Sequence, residues 1–138
     1  MDIKVLIEKL EGTGENIRNP RVLHKIYNYL PVPRDFNIKW AEINSYGGRP
    51  SGIVLTDRGI ICKSPAIKIK GQKKRKSVYQ YVPWDYYDPN TISVRRKEKC
   101  FELYFGDSLI AEYYNEKLNV FFDDMAKEYK KIALLMQL

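Results

Sequence analysis

The chain is poor in the residues from which most catalytic centres and metal sites are built. It has one histidine, His24, and two cysteines, Cys62 and Cys100, in 138 residues. Structural zinc takes Cys and His ligands at close spacing, and with no CxxC pair and no second histidine no metal site is expected. Nucleophilic catalysis needs a base beside the nucleophile, and His24 is far in sequence from either thiol. No GxSxG or Cys-His signature occurs. Gly12-Thr13-Gly14-Glu15 lacks the Gly-Lys-Ser/Thr ending of a phosphate loop. The expectation is a chain that is no enzyme and needs no cofactor. Both cysteines fall in apolar, strand-like runs and read as buried free thiols in a reducing compartment.

Long apolar runs are also lacking. None approaches the roughly 20 residues needed to span a bilayer. The apolar positions of MDIKVLIEKLEG are interrupted by Lys4, Glu8 and Lys9, which is not the pattern of a secretory signal. A cytoplasmic location is therefore expected.

What is present is an ordinary globular composition, with 44% hydrophobic and 30% charged residues. The length is that of one domain with a real core. The formal net charge is +7, and its distribution matters more than its size. Lys63 to Lys76 holds seven basic residues and no acidic one, so the rest of the chain balances 17 basic against 17 acidic groups. All the excess charge lies in one short segment, which creates a local positive field reaching about 8 Å at physiological salt.

Hydrophobic periodicity assigns most of the elements. Ile3, Val5, Leu6, Ile7 and Leu10 space as a helix behind Asp2, although Val-Leu-Ile also permits a strand. Asn19-Pro20 opens a second helix with Val22, Leu23, Ile26, Tyr27 and Leu30 on one stripe and His24 beside it; Pro31 and Pro33 stop it. Phe36, Ile38 and Trp40 alternate, as a first strand or as a helical turn leading into a sheet. Gly47-Gly48 and Pro50 mark a loop. Ile53-Val54-Leu55 and Ile60-Ile61-Cys62 flank Thr56-Asp57-Arg58-Gly59, a hairpin in which Gly59 is expected at positive φ. Ala66 to Lys70 extends as a strand, Gly71 to Lys76 is a tip, and Ser77 to Val82 returns. Strands follow at Ile92 to Arg96, Cys100 to Phe105 and Ser108 to Tyr113, the last two joined by Gly106-Asp107. Asn115 caps a final helix whose stripe (Leu118, Phe121, Phe122, Met125, Tyr129, Ile132, Ala133, Met136) runs about six turns and is expected to pack on the sheet.

Helices, then six or seven short antiparallel strands, then one long amphipathic helix make an α+β chain. A strongly bent antiparallel sheet leaves one end of its core open, and a terminal helix can cover it. The hairpin GIVLTDRGIICK and the aromatic strand and turn YQYVPWDYYDP resemble bacterial pleckstrin-homology-like (PH-like) domains, over about residues 36–138. The resemblance implies a PH-like barrel with a capping C-terminal helix, residues 1–34 forming a helical extension of a single domain 1–138. It also implies a binding module, since such domains are mostly non-catalytic; fold alone does not assign function.

Two stretches are candidates for a working surface. Lys68, Lys70, Lys73, Lys74, Arg75 and Lys76 form an anion-binding candidate. The alternative is a solvated hairpin whose lysines protect a sheet edge. Its partners would be a protein, an anionic membrane surface at about 1 kcal/mol per cation, or nucleic acid, with tyrosines interleaved among the charge to stack bases. Trp84, Tyr86 and Tyr87 form an interface candidate, against a reading in which Trp84 plugs the barrel and the tyrosines line its rim. The carboxylate pair Asp85 and Asp88 is read as capping backbone amides, and Asp123 with Asp124 as a solvated helix face.

Overall fold

The computed structural model describes residues 2–46, 49–68 and 70–137. Helices α1 (Ile3–Glu8) and α2 (Pro20–Tyr29) precede strands β1 (Ile38–Tyr46), β2 (Arg49–Thr56) and β3 (Gly59–Lys63). Short strands β4 (Ile67–Lys68) and β5 (Arg75–Lys76) come next, then β6 (Tyr79–Pro83), β7 (Ile92–Arg96), β8 (Phe101–Phe105), β9 (Ser108–Tyr113) and helix α3 (Lys117–Met136). Every strand pairing is antiparallel. The expected glycine loop at Gly47-Gly48 and the expected strand residue Ile69 lie outside the described residues. Pro50 belongs to β2, opposite Ser45, rather than to a loop.

Local chemistry sets the helix starts. The Asn19 side chain accepts from the Arg21 amide at 3.0 Å, with Pro20 in the first turn, where a missing N–H costs nothing. Asn115 accepts from the Lys117 amide at 3.0 Å, satisfying one of the free donors at a helix start.

The strands form a four-stranded sheet in the order β1-β2-β3-β6, a three-stranded sheet β7-β8-β9, and a separate β4-β5 ribbon. Among the described residues the larger sheets are not joined into one ladder, and the expected barrel is not closed. They share one core instead. Ile53, Leu55, Ile60 and Cys62 of the first sheet meet Leu103, Ile110, Ala111 and Tyr113 of the second, with Leu6 and Leu10 beneath α1 and Leu118, Phe121 and Met125 from α3. A second cluster lies on the opposite face of the first sheet, where Ile26 and Leu30 cover Val54, Ile61 and Ala41. Strands β2 and β3 are thus covered on both faces, which is why both read as continuous apolar runs rather than alternating ones.

Three details depart from the periodicity. A bulge between Ile38 and Trp40 puts Ile38 in the α2 cluster and Trp40 in the main core, although two-residue spacing places them on one face. Gly59 is not at positive φ. A Cβ there would come within 2.3 Å of the Val82 carbonyl oxygen, so the glycine permits the close approach of β6. The α3 stripe is buried only through Met125; Ile132, Leu134, Leu135 and Met136 are exposed. The helix outruns the sheet it covers.

Glu42 stitches the two sheets together. Its buried carboxylate accepts from the Tyr114 amide at 2.8 Å, the Asn115 amide at 3.0 Å and the Asn44 side chain at 3.1 Å. This ties β1 to the end of β9 and to the start of α3.

Candidate anion-binding ribbon

The ribbon leaves the body where β3 ends and returns where β6 begins. Its root is closed by Ser64, which is fully buried. The Ser64 hydroxyl accepts from the Val78 amide at 2.7 Å, and the Ser64 amide donates to the Val78 carbonyl at 2.8 Å. Beyond this clasp, Ile67 pairs with Lys76 and Lys68 with Arg75. Arg75 and Lys76, read from sequence as part of a tip, are one strand of the arm. The six candidate cations, Lys68, Lys70, Lys73, Lys74, Arg75 and Lys76, are all exposed. None of them is ion-paired among the described residues; the ion pairs there join Lys9 to Asp124, Arg58 to Asp35, Lys97 to Glu102 and Lys131 to Glu128. The ribbon is a cationic two-stranded arm closed at its root by the Ser64–Val78 bonds. Chemically it offers ammonium and guanidinium donors to oxyanions, with Arg75 suited to bidentate contact.

Lys63 behaves differently from the rest of the basic block. Its ammonium donates to the Tyr29 carbonyl at 3.3 Å and lies 5.8 Å from the centre of the Tyr79 ring. It belongs to the sheet surface at the foot of the ribbon. Beside it Tyr79 and Tyr81 stand on edge strand β6, 57% and 41% exposed. The Tyr81 hydroxyl donates to the Arg58 carbonyl at 3.3 Å, and its ring packs 5.4 Å from that of Phe36.

The aromatic turn does not hold together as one surface. Trp84 is partly buried, donates its indole N–H to the Thr56 carbonyl at 2.9 Å and meets Phe121 edge-on at 6.1 Å. Tyr87 is 4% exposed and sits in the main core. Tyr86 is 79% exposed. Of the three residues, only Tyr86 is presented outward. The Trp84 bond joins the β2-β3 hairpin to the aromatic turn. The Thr56 hydroxyl completes that corner by accepting from the Arg58 amide at 3.1 Å and the Gly59 amide at 3.0 Å while donating to the Gly59 carbonyl.

The groups with altered acidity all resist deprotonation. Burial pushes the Cys62 thiol far up. Cys100 is pushed up to about 11 by desolvation and then by its contact with the Glu112 carboxylate, to which its thiol donates. Burial raises Tyr87, aided by the charges of Asp123 and Asp88, and raises Tyr113, aided by Glu42 and Asp123. Burial and the neighbouring Glu42 charge raise Glu15, partly offset by the Ile43 amide. A thiolate nucleophile needs the opposite environment. His24 lies exposed on α2, its Nε2 2.9 Å from the Asn28 amide nitrogen. Asp88 accepts from the Asn90 amide at 2.8 Å, the capping role expected of it.

Sequence reasoning missed a cleft of about 390 Å³ between α1 and the sheet, walled by Ile3, Ile7, Trp40 and Trp84. Its two tryptophans are distant in sequence, and no local signal brings them together. Among the described residues no cluster of His, Cys, Asp and Glu is arranged to hold a metal, and no helix is long and apolar enough to cross a membrane. Comparison with family models, curated proteins and solved structures gives no match.

Proposed function

We propose that this chain is a non-catalytic binding module of PH-like design that engages an anionic partner through the β4-β5 ribbon. The observation that carries the reading is the ribbon itself: six exposed cations on a two-stranded arm, none ion-paired among the described residues. Cations that hold a fold together are ordinarily paired or laid on the body, as Lys9 is on Asp124. Cations without an ion-pair partner keep their field for an external anion. The PH-like part of the reading draws on the order of elements, four strands and then three around one core, with a C-terminal helix packed into it. The non-catalytic part draws on thiols and phenols whose surroundings oppose ionisation. A cytoplasmic setting, where free thiols persist, suits Cys62 and Cys100.

The test is to change Lys73, Lys74, Arg75 and Lys76 together to Gln. Binding is measured to heparin, to vesicles with and without anionic lipid, and to nucleic acid over a range of salt. The wild type binds at least one of these polyanions with an affinity that falls steeply with salt, and the variant loses it. A variant that binds as the wild type does refutes the reading.

A further inference from the structure

We infer that the anion is single-stranded nucleic acid, its bases laid on Tyr79 and Tyr81 and its phosphates held by Lys63 and the ribbon. This rests on the ribbon being an anion-binding arm and adds what the arm serves. The face of the four-stranded sheet that carries these tyrosines is shared with α2. Over β2 and β3 the helix covers it, burying Val54 and Ile61. Over β6 it does not, and Tyr81, directly opposite Ile61, is left 41% exposed while Tyr79, opposite Lys63, is left 57% exposed. Being two residues apart on one strand, both rings point to the same side, about 7 Å apart. That is roughly twice the 3.4 Å step of stacked bases, so each ring has room for a base of its own.

Tyr81 is held in place before anything binds by its hydroxyl bond to the Arg58 carbonyl and by Phe36 behind it, and the Lys63 ammonium lies 5.8 Å from the centre of the Tyr79 ring. A ring already held on a sheet edge loses little entropy on stacking. A ribbon of cations springing from the same strand supplies the backbone contact that a stacking platform needs. A lipid headgroup would use the ribbon and leave two half-bare phenol rings without a role. A duplex would do the same, since its bases have no free faces.

The experiment is fluorescence anisotropy with a labelled mixed-sequence DNA strand of about 12 nucleotides, compared with the same sequence as a duplex and with anionic vesicles. Tyr79→Ala, Tyr81→Ala and Tyr79→Phe are measured beside the ribbon quadruple variant, with a thermal melt of each to show that it is folded. The wild type binds the single strand tighter than the duplex. Each Ala variant raises the single-strand Kd about tenfold, in line with the worth of one stacked base. Neither changes duplex or vesicle binding, nor the slope of log K against log salt. Tyr79→Phe keeps its affinity, because the ring and not the hydroxyl stacks. The ribbon variant loses about 0.7 from that slope for each phosphate contact removed. If the Ala variants bind the single strand as the wild type does while the ribbon variant does not, the platform is refuted and the anion-binding arm stands. Vesicle binding without single-strand binding refutes the platform too. If the ribbon variant binds everything unchanged, the arm itself is refuted.

Discussion

The β2-β3 hairpin and the β4-β5 ribbon follow one another in the chain and have opposite surroundings. In the hairpin Ile53, Val54, Leu55, Ile60 and Cys62 are fully buried, and the turn is bound by a side chain at each level. The Thr56 hydroxyl closes it from inside, the Trp84 indole bonds it from behind, and Asp57 accepts from the Asn37 amide at 2.8 Å. In the ribbon two residue pairs make the ladder among the described residues, and each of the six cations faces solvent. One antiparallel pair is held by burial at about 1.5–3 kcal/mol per large apolar side chain; the other is clasped at its root by Ser64 and stands away from the core. The difference separates fold from charge. The large buried apolar side chains lie in the hairpin, and the net positive charge lies in the exposed ribbon.

That separation can be broken or sharpened by substitution. The largest effect is expected in the core that α3 completes. Met125→Ala costs about 2–5 kcal/mol, the range for emptying a buried site, because Met125 is fully buried. Met136→Ala, 83% exposed on the same helix stripe, stays within roughly 0.5 kcal/mol. Urea melts of the pair measure how far along α3 the core reaches, and equal losses would mean the helix is covered to its end. Next is Thr56→Val, which strands the Arg58 and Gly59 amides and lowers stability by about 1–3 kcal/mol. A neutral result in the same melts would show that the hairpin corner does not depend on the hydroxyl.

A smaller effect, opposite in sign, is expected at Glu15. Its carboxyl is raised above the ordinary value, so the native state binds a proton more tightly than the unfolded chain does. The stability this gives is complete below the unfolded value and is lost as pH rises through the native one. Glu15→Gln removes that loss. Its Tm is higher than the wild type's at about pH 7, and the gap closes by about pH 4. A gap independent of pH would assign the effect to packing instead. The smallest effect is expected in the ribbon, where changing Lys73, Lys74, Arg75 and Lys76 to Gln shifts unfolding free energy by no more than about 0.5 kcal/mol. A large loss in the melt would show that the arm helps to hold the fold.

Much of this was legible before the structure. The starts of α2 and α3 follow from Asn19-Pro20 and Asn115, because a cap acts on amides two or three residues away. The β8-β9 turn follows from Gly106, at φ +60. The ribbon's exposure follows from six cations with no carboxylate among them. The site was less legible than the fold. Tyr87 reads the same as Tyr86 in sequence, yet one is core and the other surface, because the short helical turn at Trp84–Tyr86 rotates neighbours to opposite sides. Ser64 looks like any loop serine until Val78 is brought against it.

The sequence by itself determined where charge accumulates, where helices begin and which runs extend, since each depends on covalent neighbours or on a short period. Only the tertiary structure decided which faces are covered. The bulge that parts Ile38 from Trp40, the two separate sheets in place of a barrel, the Glu42 stitch and the bare tyrosines of β6 all depend on partners far along the chain. Contacts of that kind are set by how whole elements pack, and no local pattern of residues encodes them.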